Sequence, residues 1–134
     1  MFFLIGIVFV LIDQITKYLV YSKGLGNFLN YFRPIFGKEI FPNYNFAFSL
    51  QVPHFLMYAI YVVLLSWLVV WFLRLETKNF RAKLALTLIL SGALSNILDR
   101  FLVGFARDFI FVFWGNVFNV ADIYVLVGIA LLLV

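Results

Sequence analysis

Residues 55–73 read FLMYAIYVVLLSWLVVWFL, nineteen positions without a charge. At about 1.5 Å per residue, a helix of that length crosses the roughly 30 Å hydrocarbon core of a bilayer almost unaided. Three further apolar runs lie around it, at about 2–21, 84–103 and 117–134. Each of these carries polar residues: Asp13, Gln14 and Lys17 in the first, Asn96, Asp99 and Arg100 near the far end of the third, Asn119 and Asp122 at the entrance of the last. Across its 134 residues the chain is 66% hydrophobic and 12% charged, against about 45–50% apolar in ordinary soluble domains. The expectation is an integral membrane protein, mainly α, with four transmembrane helices in a single domain covering 1–134.

The connections differ in kind. Residues 22–54 contain Gly24, Gly26, Gly37, Pro34, Pro42 and Pro53 around short β-prone stretches at 27–32 and 39–41. Residues 104–116 include a strand-like run at 105–113. Together they predict a small antiparallel sheet outside the cytoplasm, lying on the membrane. The short connection between the second and third runs holds Arg74, Lys78, Arg81 and Lys83. Dense basic residues mark the cytoplasmic side, so both termini are expected there and all four aspartates toward the outer face. The opening MFFLIGIVFVLI has no basic start and runs into Asp13 rather than a small-residue cleavage site, so it is expected to stay as a membrane helix.

Several function classes drop out. The net charge of +4 is spread over connections, with no basic run suited to nucleic acid. The absence of cysteine excludes disulfides, thiolate metal sites and a cysteine nucleophile. A lone histidine, His54, cannot form a histidine metal cluster and sits where an interfacial residue is common. No metal and no cofactor are expected.

What remains is the carboxylates, Asp13, Asp99, Asp108 and Asp122, in or beside apolar segments. A carboxylate near hydrocarbon costs several kcal/mol unless neutralised or partnered, so each needs a structural or chemical reason. Asp13 and Lys17 share a helix face and can form an ion pair. Asn96, Asp99 and Arg100 also share a face, either as a knot between helices or as donors for a substrate carbonyl. Gly92 and Ala93 before them suit close helix approach. Asn119 suits a helix N-cap, with Asp122 in the favourable first turn. Asp108 has no such helix to serve, and the adjacent Arg107 should point to the opposite face of a strand. A turn through Gly115 and Asn116 can bring Asp108 and Asp122 together. Two carboxylates in contact share one proton near neutrality and can hydrolyse a peptide without metal or covalent intermediate. Which of the two acts as base is left open. A Ser–Lys pair from Ser91 or Ser95 with Lys17 is the weaker hydrolytic option, because both serines sit among small packing residues.

Five blocks in this order resemble the signal peptidase II family, the membrane aspartic peptidases of bacterial lipoprotein maturation. They are Asp13-Gln14-Ile15-Thr16-Lys17, Asn43-Tyr44-Asn45-Phe46-Ala47-Phe48-Ser49, Gly92-Ala93-Leu94-Ser95-Asn96-Ile97-Leu98-Asp99-Arg100, Asp108-Phe109, and Phe118-Asn119-Val120-Ala121-Asp122. The resemblance implies Asp108 and Asp122 as catalytic pair and Asn43, Asn96 and Arg100 as substrate-positioning residues. It implies Asp13, Gln14, Lys17, Asp99, Asn119 and Ala121 as support. It also implies a β-cradle on four membrane helices, and cleavage of diacylglyceryl-modified prolipoproteins just before the lipidated cysteine. The expected partners are that signal peptide and membrane lipid, for a monomer in the bacterial cytoplasmic (inner) membrane. Two positions depart from the family pattern. Asn45 stands where glycine is usual, and Arg107 stands where an apolar residue is usual; a charge reaching the pair from Arg107 would lower its pKa values. The rival expectation is a small proton- or ion-coupled transporter subunit using the carboxylates as a relay.

Overall fold

A computed structural model describes residues 1–21, 36–45, 51–76, 78–112 and 116–134. In chain order they form α1 (Phe2–Tyr21), β1 (Phe36–Asn43), α2 (His54–Arg74), α3 (Phe80–Leu102), β2 (Ala106–Val112), β3 (Asn116–Phe118) and α4 (Val120–Leu133). The structure is mainly helical. Three of its helices, α1, α2 and α3, are long and apolar enough to cross a membrane, while α4 has 14 residues, about 21 Å.

α3 is the hub, packed against α4, α1 and α2. Its buried residues run from Ala85 to Arg100, whereas Met57 is the only buried residue of α2. The apolar faces of α1 and α2 are largely exposed, including Phe3, Leu4, Val62, Val63 and Trp67. That outward greasiness suits lipid as the surrounding solvent. Small residues bring the helices close. A Cβ built at Gly92 would collide with the carbonyl oxygen of Ala121, and one at Gly128 would stand 2.7 Å from the carbonyl oxygen of Ala85. These contacts fix α4 antiparallel to α3. Gly6 faces Ser91 and Thr87 in the same way on the α1 side, and α1 runs parallel to α3. At the other end of the bundle Phe2 meets Phe72 edge to face and Phe80 at a tilt.

The sheet has order β1-β2-β3, antiparallel throughout. β1 and β2 are offset by an irregularity between Phe36 and Phe41, beyond which Phe41 pairs with Asp108 and Asn43 with Ala106. β2 and β3 pair Ile110 with Phe118 and Val112 with Asn116. Gly104, at φ +87, makes the bend from α3 into β2, a left-handed conformation that glycine adopts without steric cost. Two stretches read from the sequence, 27–32 and the turn at Gly115, lie outside the described residues.

Two helix boundaries differ from the expected ones. α3 begins at Phe80 rather than near 84, because Asn79 caps it by accepting a hydrogen bond from the Ala82 N–H. The last helix begins at Val120 rather than near 117, because residues 116–118 are committed to the sheet as β3. The strand therefore delivers the start of α4 beside Gly92, about 15 Å of helix below the end of α3 at Leu102. α4 therefore starts deep within the bundle.

Candidate active site

A helix that starts inside a bundle leaves its first N–H groups without water, so they need partners. Asn119 and Asp122 form a reciprocal capping box: the Asn119 side chain accepts from the Asp122 N–H at 3.0 Å, and the Asp122 carboxylate accepts from the Asn119 N–H at 3.0 Å. The Ala121 N–H donates to Asp13 Oδ1 of α1 at 2.8 Å. Asp13 thus serves the positive end of a neighbouring helix as well as its own ion pair.

The ion pairs form a compact core. Lys17 Nζ lies 2.7 Å from Asp13 Oδ2 and 3.0 Å from Asp99 Oδ2, with all three side chains fully buried. Arg107 Nη2 lies 2.6 Å from Asp99 Oδ1. Two carboxylates and two cations are therefore enclosed together. Ser95 Oγ donates to Asp13 at 2.6 Å, and the Gln14 amide nitrogen donates to Ser95 Oγ and to Asp99 Oδ1, both at 2.9 Å. Removing such charges from water is costly, and this density of hydrogen bonds is what offsets the cost.

Asn96 carries the network to the site. Its side-chain oxygen accepts from Lys17 Nζ at 3.0 Å and from the Asn119 amide at 2.9 Å, which turns its own amide nitrogen toward Asp122 Oδ1 at 2.8 Å. Asp108 enters from β2 and is buried. Its Oδ1 accepts from the Asn119 amide at 2.6 Å and its Oδ2 from the Asn43 amide at 2.9 Å. The two carboxylates thus converge on Asn119, one through its side chain and one through its backbone. Burial, and then the negative charge of Asp122, push the Asp108 carboxyl up to about 7. Asp108 therefore holds a proton through much of the range in which an ordinary carboxyl has lost it.

Arg100 is buried one helical turn beyond Asn96 on α3. Its Nη2 donates to the Asn45 carbonyl at 2.7 Å and its Nη1 to the Asn96 carbonyl at 3.1 Å, with the guanidinium over the Tyr61 ring. Its Nε is buried and has no hydrogen-bond partner among the described residues. Asn45, at the position where glycine is usual in the resembled family, donates its N–H to Asn43 Oδ1 at 3.0 Å, closing a local Asx turn. That bond holds the Asn43 amide toward Asp108. Residues 46–49 of the same block lie outside the described residues.

All eleven candidate side chains or backbones meet in this one cluster: Asp13, Gln14, Lys17, Asn43, Asn96, Asp99, Arg100, Asp108, Asn119, Ala121 and Asp122. Two residues enter it in ways the sequence did not announce. Ser95, read as a packing residue, has its hydroxyl committed to Asp13. Lys17 Nζ is turned to Asp13, Asp99 and Asn96, while the hydroxyls of Ser95 and Ser91 are given to Asp13 and to the Thr87 carbonyl, so no Ser–Lys dyad is assembled. Arg107 faces away from the pair, toward Asp99 and Gln14. The alternation of side chains along β2 puts it on the other face from Asp108. A second charge beside Asp108 in an otherwise apolar strand was the available signal.

A buried Asp108 and a partly buried Asp122, both held by amide donors beside an apolar helical bundle, form the kind of carboxylate pair that aspartic hydrolases use. Residues 5–134 match the peptidase A8 family, described as signal peptidase (SPase) II. The lipoprotein signal peptidase of Brevibacillus brevis is 34% identical over 98% of this chain and 91% of its own length. That of Anoxybacillus flavithermus is 32% identical, over 100% of this chain and 83% of its own. A bacterial membrane enzyme solved by the in meso method at 1.9 Å resolution superposes with a TM-score of 0.77 at 25% identity, covering 98% of this chain and 89% of that one. The chain belongs to the signal peptidase II family and is a peptidase.

Proposed function

We propose that this peptidase removes the signal peptide from diacylglyceryl-modified prolipoproteins, cutting just before the lipidated cysteine, with Asp108 and Asp122 as the catalytic pair. The observation that carries the reading is the convergence of both carboxylates on Asn119. Family membership supports the substrate, since the relatives are lipoprotein signal peptidases. The rival reading as a transporter subunit finds no support there.

The chemistry follows from a pair sharing one proton. The ionised member takes a proton from a water molecule as the water oxygen attacks the scissile carbonyl carbon. The protonated member gives its proton to the carbonyl oxygen, producing a neutral tetrahedral diol. Collapse of the diol breaks the C–N bond: a hydroxyl proton returns to one carboxylate, and the leaving nitrogen takes a proton from the other. The pair ends as it began, singly protonated. Asn43, Asn96 and Asn119 hold the carboxylates in place, so little reorganisation is required during the reaction. Arg100, whose Nε has no partner among the described residues, suits a substrate carbonyl, as does Asn43 on β1.

The chain acts as a monomer and a single domain, 1–134, in the bacterial cytoplasmic membrane. α4 serves as the fourth membrane helix, both termini are cytoplasmic, and the site opens toward the outer face. The basic residues Arg74, Lys78, Arg81 and Lys83 between α2 and α3 favour this orientation. A site at the end of the bundle lets acyl chains stay in lipid while the cleavage point reaches the carboxylates. Lipid gives no hydrophobic drive for docking, so selection rests on polar anchors and shape.

The test is reconstitution in vesicles with a lipidated prolipoprotein. Asp108→Asn and Asp122→Asn are each expected to abolish cleavage while the protein still inserts and folds. Full cleavage by either variant would remove the paired-carboxylate mechanism. Equal cleavage of the unlipidated precursor would remove the substrate assignment.

A further inference from the structure

We infer that Arg107 is a positioning residue for the catalytic pair, acting through Asp99. The inference rests on the proposed roles of Asp108 and Asp122. Arg107 directly precedes Asp108 on β2 and is tied to the helices at three points. Its backbone N–H donates to Asp99 Oδ2 at 3.0 Å, and its Nη2 donates to Asp99 Oδ1 at 2.6 Å and to Gln14 Oε1 at 2.8 Å. One carboxylate thus grips both the main chain and the side chain of the same residue.

The location makes this clamp matter. Apart from this clamp, β2 is paired with β1 and β3, and its Asp108 is held by Asn43 of β1 and by Asn119 at the start of α4. Asp108 must meet a carboxylate borne by α4, which is itself anchored to α1 and α3 through Asp13 and Gly92. Asp99 and Gln14 belong to that same anchored pair of helices. The clamp therefore references the strand-borne carboxylate to the same rigid frame as the helix-borne one. A catalytic group displaced by about 1 Å can cost on the order of a hundredfold in rate. Arg107 also brings the second cation to a core that otherwise holds Asp13 and Asp99 against Lys17 alone. Both side-chain contacts come from one nitrogen, Nη2, which the long arginine stem carries across to Asp99 and Gln14.

The experiment compares Arg107→Met and Arg107→Lys in vesicles with the lipidated substrate, per folded enzyme as measured by thermal unfolding in detergent. Met keeps the apolar stem and removes the donors. Arg107→Met is expected to lower kcat by about tenfold to a hundredfold with KM within about twofold, as misplacement of a reacting group requires. Arg107→Lys is expected to recover part of that loss. Added to Asp99→Asn, Arg107→Met is expected to cost no further kcat, because both act through one contact. Unchanged kcat in Arg107→Met, a change confined to KM, or independent multiplication with Asp99→Asn would each overturn the assignment. Asp108→Asn run in parallel separates the two readings: if it still cleaves, the catalytic pair fails, whereas inactivity there beside a fully active Arg107→Met fails the positioning role alone.

Discussion

Asn119 donates its side-chain amide to Asp108 Oδ1 at 2.6 Å, so the residue that caps α4 also holds the carboxylate on β2. Its backbone N–H meanwhile holds Asp122. These two duties can be separated by mutation. Serine is as good an N-cap as asparagine but cannot reach as an amide donor. Asn119→Ser is therefore expected to retain most of the stability, within about 1 kcal/mol of wild type, while kcat falls about tenfold or more through loss of a preorganised donor. Thermal unfolding and cleavage kinetics on the same preparation check both halves. Parallel losses in the two would contradict the separation.

The protonation of Asp108 gives a pH signature. Its carboxyl is raised to about 7, first by burial and second by the charge of Asp122. A carboxyl raised on folding binds more protons in the folded state than in the unfolded chain. Its contribution to stability is therefore fully present below the ordinary carboxylate range, and is lost as pH rises through about 7. Asp108→Asn, which stays neutral, removes this dependence. The difference in unfolding temperature, variant minus wild type, is expected to grow more positive between about pH 5 and 8. A difference that is flat with pH would mean Asp108 is not held protonated by its surroundings. For the wild type, cleavage is expected to fall on the alkaline side as the shared proton is lost.

Lys17 is the cation with most to lose. It contacts Asp13 and Asp99, and it orients Asn96, all within a fully buried core. Lys17→Met keeps the length of the side chain but leaves Asp13 without an ionic partner. Breaking a buried pair from one side costs about 3–5 kcal/mol, so a poorly folded protein is expected. Adding Asp13→Asn to it is expected to return part of the stability, without activity. A stable Lys17→Met single variant would show that the core tolerates an unpaired carboxylate.

Gly92 tests the close approach of α3 and α4. A methyl there meets the Ala121 carbonyl and the Val125 side chain. Since Ala121 sits next to Asp122 and is itself held by Asp13, the helix start cannot give way without moving the carboxylate. Gly92→Ala is expected to destabilise by about 1–3 kcal/mol, in the usual range for overpacking, and to lower cleavage beyond the folded fraction lost. Gly104→Ala, in open space but at a left-handed φ, should cost stability with little change in kcat per folded enzyme. Equal effects on kcat at the two glycines would argue against a specific role for the α3–α4 approach.

Much of this molecule is legible in its sequence because the bilayer imposes simple rules. An uncharged run at 55–73 has one comfortable solvent, and aspartates beside such runs must be partnered. Helical spacing alone puts Lys17 on the face of Asp13, and Asn119 before Asp122 reads as a cap. Strand alternation alone separates Arg107 from Asp108. Each of these is a short-range fact, fixed by backbone geometry within a few residues.

The partners across the chain are another matter. Nothing local pairs Asp13 with the Ala121 N–H, 108 positions away, or Arg107 with Gln14, 93 positions away. Those matches depend on how far α4 slides along α3 before Gly92 meets Ala121, and on the bend at Gly104 that returns β2 over the bundle. Ser95 shows the same limit: a small residue in a helix looks like packing until a neighbouring helix brings Asp13 to its hydroxyl. The sequence by itself determined which segments seek lipid and which side chains cannot be left alone there. Only the tertiary structure decided who answers each of them, because that depends on the depth and register of helices packed from opposite ends of the chain.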